Sequence, residues 1–307
     1  NMNKERKIAV VTGGAGFIGS HIVDELLRRG HDVHVIDNFA AGMRQDRINP
    51  EATYHEIDVR ERAKIAPILK DAEVVFHMAA LPRVQFSIDN PEESHDVNIN
   101  GVLSVLLASR DGKVGKVVYS ASSSAYGDQL TLPLSEEMLP QPKSPYALQK
   151  YVGEHYCRIF STVFGLPTVS LRYFNVYGQR ADPNGPYAQA IIKFLDLRKQ
   201  GKPLTITGDG EQTRDSVHVT DIVRANVLAY ETDAIRQGEV INIGSGRNVS
   251  VNEIARMIGG DVVYIAPRIE PHDTRADIRR AKELIGWEPR VSLEEGIAEL
   301  KREWAIV

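Results

Sequence analysis

The chain has 307 residues, 42% of them hydrophobic and 25% charged, which is ordinary globular composition with material for one or two packed units but not three. A formal net charge of −4 supplies no basic field for nucleic acid or an anionic membrane, and no apolar run approaches the length of a membrane span. The single cysteine, Cys157, cannot form an internal disulfide and no signal-peptide pattern opens the chain, so a cytoplasmic protein is expected.

Ile8 to Val11 is an apolar, β-branched run that reads as a buried strand. Gly13, Gly16 and Gly19 follow with two residues between successive glycines, and a helical pattern begins at Ile18 and stops at Gly30. Strand, glycine turn and helix N-terminus in that order suit a dinucleotide pyrophosphate. Backbone N–H groups and the positive end of the helix dipole face the phosphates, and the missing Cβ atoms let them approach. An ordinary tight turn is the competing reading, and the strand and helix on either side weigh against it. Asp32 to Ile36 predicts a second strand with Asp37 at its tip, 18 residues beyond Gly19. A carboxylate there accepts hydrogen bonds from adenosine ribose hydroxyls and repels a 2′-phosphate, which favours NAD over NADP.

Residues 53–57 predict a third strand and residues 61–69 a helix. Asp58, between them, carries two readings, recognition of an adenine amino group or capping of that helix. A fourth strand, 73–77, is followed by Ala79 and Ala80, small enough for the backbone to run along a phosphoribose. His77 reads as a packed structural histidine. A long helix is expected over 91–109, with Val97, Val102, Val105 and Leu106 on its apolar side. Strand five, 116–119, leads into Ser122, Ser123 and Ser124. Strands alternating with helices of this length predict a parallel, doubly wound sheet, whose chemistry gathers outside the carboxyl ends of its strands.

Ser144-Pro145 opens a helix running to about Phe164, with proline at an early position where its missing N–H is harmless. Tyr146 and Lys150 lie four apart on it and share a face, where an ammonium lowers the pKa of a nearby phenol. A surface Tyr–Lys pair is the competing reading. Behind a dinucleotide fingerprint and a serine-tipped strand, the catalytic one is preferred. After strand six, 166–173, the rhythm breaks. Helices are expected at 187–200, 221–232, from Val251, 279–285 and 293–304. Strands are expected at 204–207, 216–219, 240–243 and near Val262. The second unit is therefore smaller and interleaved: residues 1–173 with a return of 216–243 form the first, and 174–215 with 244–307 the second.

Taken together, Thr12–Ser20, Asp37-Asn38, His77–Ala80, Asn98, the 122–127 serine segment, Tyr146 with Lys150, Arg172–Gly178 and Arg214–Val219 are specific in combination. On these motifs the chain resembles the extended short-chain dehydrogenase/reductase superfamily, in particular its nucleotide-sugar epimerase branch, over essentially its whole length. The resemblance implies an α/β fold, a Rossmann-type doubly wound parallel sheet with a smaller, interleaved C-terminal substrate domain. It implies NAD as cofactor, contacted by Gly13, Gly16, Phe17, Ile18, Asp37, Asn38, Asp58, Val59, Ala79, Ala80, Asn98, Tyr146, Lys150 and Tyr173. Tyr146 would be the general base or acid, Lys150 would hold the nicotinamide ribose, and Ser122 would bridge the sugar 4-hydroxyl and the phenol. Ser123 and Ser124 would line the same pocket.

In that branch a hydride leaves sugar C4 for NAD+, and the 4-ketosugar turns and takes it back on its opposite face. The substrate implied is a UDP-sugar whose diphosphate is anchored by Asn175, Arg214 and Arg268. The loop around Arg268 departs from the usual Arg-Pro-Gly-Asp/Glu pattern. Thr274 falls where side-chain size gates the C2 substituent, and a threonine leaves room for an N-acetyl group. No metal is implied. A homodimer through a four-helix bundle of the 91–109 and 146–164 helices is expected. Sugar 4,6-dehydratases carry Asp-Glu where this chain has Ser123-Ser124, and the decarboxylase-type glutamate is missing too. A UDP-glucuronate 4-epimerase stays open, and a non-catalytic NAD-binding regulator is disfavoured by the intact Ser122, Tyr146 and Lys150.

Overall fold

The computed structural model describes residues 6–185, 189–267 and 272–306. β1 (Ile8–Thr12) runs into α1 (Phe17–Arg28), followed by β2 (Asp32–Asp37), β3 (Thr53–Glu56), α2 (Arg62–Leu69) and β4 (Val74–His77). α3 (Val84–Asp89), α4 (Pro91–His95) and α5 (Gly101–Asp111) lead to β5 (Val117–Ser122), α6 (Pro145–Phe164) and β6 (Thr168–Tyr173). Next come β7 (Asn175–Tyr177), α7 (Ala190–Lys199), β8 (Leu204–Thr207), β9 (Thr213–Arg214), β10 (Ser216–His218), α8 (Val219–Glu231) and β11 (Gln237–Ile243). The chain closes with β12 (Val249–Ser250), α9 (Val251–Ile258), β13 (Val262–Ile265), α10 (Arg279–Ile285) and α11 (Leu293–Glu303).

Seven strands form one sheet in the order β11-β6-β5-β4-β1-β2-β3, every neighbouring pair parallel. This is the doubly wound α/β sheet expected. The strand period of two sends Val10 and Val11 to opposite faces, where each joins a separate apolar layer. One layer packs α1 against the sheet through Ile22, Val23 and Leu26; the other packs Val105, Cys157 and Phe160 of α5 and α6. Each fully buried Val, Leu or Phe contributes about 1.5–3 kcal/mol, so both helix layers are firmly seated. Strand order reverses between β1 and β4, which opens a crevice at their carboxyl ends.

Beyond Tyr173 the chain alternates between this sheet and smaller ones. β11 returns to lie beside β6, while β10 pairs with β7, β12 with β9, and β13 with β8. β7 went unread in sequence because it is only three residues long and its partner follows far down the chain. β5 continues through Ser122, further than its apolar run suggests, because its register with β6 holds Ser122 opposite Tyr173.

The helix expected over 91–109 contains a π-helical turn, Asp96–Asn100, between α4 and α5. Asp58 does not cap α2, which starts at Arg62 behind Glu61. Its carboxylate instead accepts the backbone N–H of Arg60 at 2.9 Å and pairs with the Arg60 guanidinium at 2.7 Å. α7 begins at Ala190, and residues 187 and 188 of the expected helix lie outside the described residues.

Candidate active site

The glycine turn is built for close approach. Gly13 has φ +67°, and a Cβ there would sit 2.7 Å from the backbone nitrogen of Ala79; one at Gly19 would sit 2.2 Å from the Gly13 carbonyl oxygen. α1 starts at Phe17 with no side-chain cap and no acidic residue in its first turn. Its N-terminal N–H groups and dipole are therefore left for an anion, which is what a dinucleotide diphosphate requires. Asp37 accepts N–H bonds from Ala15 at 3.0 Å and Phe39 at 2.8 Å, which ties the tip of β2 to the glycine turn. Burial pushes the Asp37 carboxyl up against those two donors.

Thr12 orders the floor of the crevice. Its hydroxyl oxygen accepts the N–H groups of Met78 (3.1 Å) and Ala79 (3.2 Å) and lies 2.7 Å from His77 Nδ1. Burial pushes His77 down to about 3, so it is the neutral packed histidine expected. Asn98, in the π-helical turn, grips Leu81 through both backbone groups at 2.8 and 2.9 Å and donates to Gln149 at 2.8 Å. Its amide is thereby engaged in shaping the segment after Ala79 and Ala80. Asn38 is exposed and donates to Asp58 at 3.4 Å, Val59 is buried, and Phe17 and Ile18 pack on the core. Tyr173 is buried with its hydroxyl on Asn226 of α8 at 2.7–2.9 Å, so that hydroxyl faces away from solvent.

Ser122 caps the 3-10 turn Ser123–Tyr126, accepting the N–H of Ser124 at 3.1 Å and touching the Ser124 hydroxyl at 2.8 Å. Its side chain also faces the Tyr146 phenol and draws the phenol pKa down; burial is the larger effect and pushes it up to about 12. Lys150 lies one turn along α6, its ammonium donating to the Ser120 carbonyl at 2.6 Å and standing 5.1 Å from the centre of the Tyr119 ring. Desolvation pulls Lys150 down to about 8, with Cys157 and Glu154 opposing it. The spacing argument expected the ammonium to lower the tyrosine pKa. In the folded chain burial dominates, because Tyr146 is packed away from solvent.

Asn175, Arg214 and Thr274 converge around Asp215. Asn175 donates to the Asp215 carbonyl at 3.2 Å, and the Asp215 N–H donates to the Thr274 hydroxyl at 3.2 Å. Arg214 donates to the carbonyls of Thr213 (2.8 Å) and His272 (3.1 Å). Arg268 lies outside the described residues.

Several positioning residues escaped the sequence reading. Asp215 accepts four hydrogen bonds, from the Ser245 N–H (2.6 Å) and hydroxyl (2.7 Å), the Gly246 N–H (2.9 Å) and the Ala276 N–H (2.9 Å). Ser87 on α3 accepts the Tyr146 N–H at 3.1 Å, and Arg172 of β6 forks onto Glu154 of α6. Their partners lie 18 to 61 residues away. The only advance signal was that Arg172 and Asp215 stand inside the motifs already singled out.

Residues 9–244 match the model of the NAD dependent epimerase/dehydratase family. A putative UDP-glucose 4-epimerase of Methanocaldococcus jannaschii is 40% identical over 94% of this chain and 95% of its own length. A UDP-N-acetyl-alpha-D-glucosaminuronate decarboxylase of Bacillus cytotoxicus is 33% identical over 96% of each. The solved UDP-glucose 4-epimerase of Thermotoga maritima, with UDP-glucose, superposes with a TM-score of 0.91 at 39% identity, over 97% of this chain and 98% of that one.

Proposed function

The chain belongs to the NAD-dependent epimerase/dehydratase family, an extended short-chain dehydrogenase/reductase enzyme of the epimerase class with NAD as its cofactor, and on that premise we propose that it interconverts UDP-hexoses at C4 through a transient 4-keto sugar. The observation that carries the reading is the Ser122 side chain facing the Tyr146 phenol, with Lys150 one helical turn away. Gly13, Gly16, Phe17 and Ile18 would hold the NAD diphosphate, Asp37 with Asn38 and Asp58 the adenosine side, and Ala79, Ala80, Asn98, Lys150 and Tyr173 the nicotinamide side. NAD, when bound, supplies the acceptor and later the donor of the C4 hydride.

The protein's own part is proton management. The Tyr146 phenolate removes the C4 hydroxyl proton as the carbonyl forms, and the phenol returns it afterwards. Ser122 holds that hydroxyl in line, and the Lys150 ammonium stabilises the phenolate in a water-poor site, where charge acts strongly. Asn175, Arg214 and Arg268 anchor the diphosphate while the ketosugar turns, an arginine fork matching phosphate oxygens. Ser123 and Ser124 carry no acid or base for water elimination, which favours epimerisation over dehydration. Thr274 leaves space beside C2, so the reading extends to UDP-N-acetylglucosamine and UDP-N-acetylgalactosamine.

The dimer belongs to the same reading. Leu148, Ile159 and Val163 stand exposed along α6, an apolar stripe suited to a second copy's helices.

The test is a substrate panel on purified protein, with UDP-glucose, UDP-N-acetylglucosamine and UDP-glucuronate, products identified by chromatography and absorbance followed near ~340 nm. Interconversion of UDP-glucose and UDP-galactose supports the reading. Loss of carbon dioxide from the uronate with no epimer formed replaces it with decarboxylation.

A further inference from the structure

α6 buries a row of polar side chains along one face, Tyr146, Lys150 and Glu154 at successive intervals of four, ending near Cys157. The first two belong to the reaction proposed above; Glu154 does not. Its carboxylate accepts from Nε and Nη2 of the Arg172 guanidinium, at 2.7 Å each, and the two side chains are only 3% and 4% exposed. Arg172 in turn lies 4.7 Å from the centre of the Tyr126 ring. Taking two charges out of water is costly, and an apolar pair of the same volume serves packing as well or better. The placement therefore asks for a reason other than stability.

We propose that Glu154, pinned by Arg172, is a positioning residue that keeps the Lys150 ammonium charged and in place beside Tyr146. Among the described residues no carboxylate lies within ion-pairing distance of Lys150, and Glu154 is the anion one helical turn away. The other groups facing this region are His77 from β4, Tyr119 with the Ser120 carbonyl from β5, and the Cys157 thiol from α6. His77 is neutral and burial holds the thiol protonated, so neither supplies negative charge at neutral pH. Cys157 and then Glu154 oppose the desolvation of Lys150, and with the thiol protonated Glu154 is the charged one of the two. Removing the pair leaves the lysine buried without its anion, and it discharges at lower pH.

This inference rests on the epimerase reading, so one of its readouts is independent of turnover. Wild type, Glu154→Gln and the double variant Glu154→Leu/Arg172→Met are compared with NAD bound. The double variant removes Glu154 and Arg172 together, so it leaves no unpaired Arg172 and folds where the single one fails. Lysine labelled at the ε-carbon is titrated by NMR, the Lys150 signal being assigned by its loss in Lys150→Arg. The expected result is a Lys150 midpoint lowered by at least half a pH unit in both variants, with the alkaline limb of kcat lowered in step and KM little changed. An unmoved midpoint with melting temperature alone altered assigns the pair to structure and overturns the proposal. A moved midpoint in a protein that epimerises no sugar upholds the electrostatic part and sinks the epimerase reading instead.

Discussion

Tyr146 and Ser122 face each other across the junction of β5 and α6, although they lie 24 positions apart and on different elements. Burial pushes the phenol up to about 12, so without added positive charge it is a poor base at neutral pH. Oxidised nicotinamide carries positive charge, which makes base strength depend on the cofactor being in place and oxidised.

Tyr146→Phe should lower epimerisation by on the order of 10²–10⁴-fold while NAD binding persists, since only the proton carrier is lost. Chromatographic turnover with bound-cofactor quantitation checks it. Activity above about a percent of wild type would remove Tyr146 from the general acid–base role.

Lys150, lowered to about 8, is charged below that pH and neutral above it. Turnover should accordingly fall on an alkaline limb starting near that value. Lys150→Met should lower kcat at every pH and abolish that limb, while a limb that survives in Lys150→Met belongs to another group.

His77 is a depressed histidine, down to about 3 from 6.5. The unfolded chain binds a proton below 6.5 that the folded chain refuses, so stability is full above 6.5 and declines as pH falls toward 3. Between 6.5 and pH ~5 this one site costs about 2 kcal/mol. Melting temperature of His77→Gln should vary less over that interval than wild type, and parallel curves would assign the acid sensitivity elsewhere.

Gly153→Ala sets helix propensity against packing. Alanine gains about 1 kcal/mol in a helix interior, but a Cβ at Gly153 would sit 2.2 Å from the Tyr119 hydroxyl oxygen, which is buried in the core. Overpacking costs about 1–3 kcal/mol, so the variant should be less stable. Because the Tyr119 ring lies beneath Lys150, kcat should fall too. A more stable Gly153→Ala would show that Tyr119 moves freely.

Asp37→Ala should weaken NAD about tenfold, or 1.4 kcal/mol, and narrow the preference over NADP. Isothermal titration with both cofactors measures it. Unchanged preference would mean that Asp37 serves only the Ala15 and Phe39 N–H groups.

Much of the parallel sheet was legible because buried parallel strands are continuous apolar runs, as residues 8–11 of β1 and 74–76 of β4 are, while β2 and β6 carry polar residues between their valines and leucines. The shorter pieces were not. α3 has six residues, β7 three and β9 two, too few for periodicity to show. The π-helical turn was hidden because it is a single turn inside a longer helical stretch.

By itself the sequence determined what sits within a turn or two of chain: the glycine spacing before α1, the carboxylate at the tip of β2, and the shared face of Tyr146 and Lys150. These are consequences of helix and strand geometry, which short spacing dictates. Only the tertiary structure decided which distant groups meet. It set Ser122 against Tyr146, Ser87 under the Tyr146 N–H, Asp215 among Asn175, Arg214 and Thr274, and Arg172 on Glu154. It also reversed the expected direction of the Tyr146 shift, because desolvation depends on what the rest of the chain packs over a group.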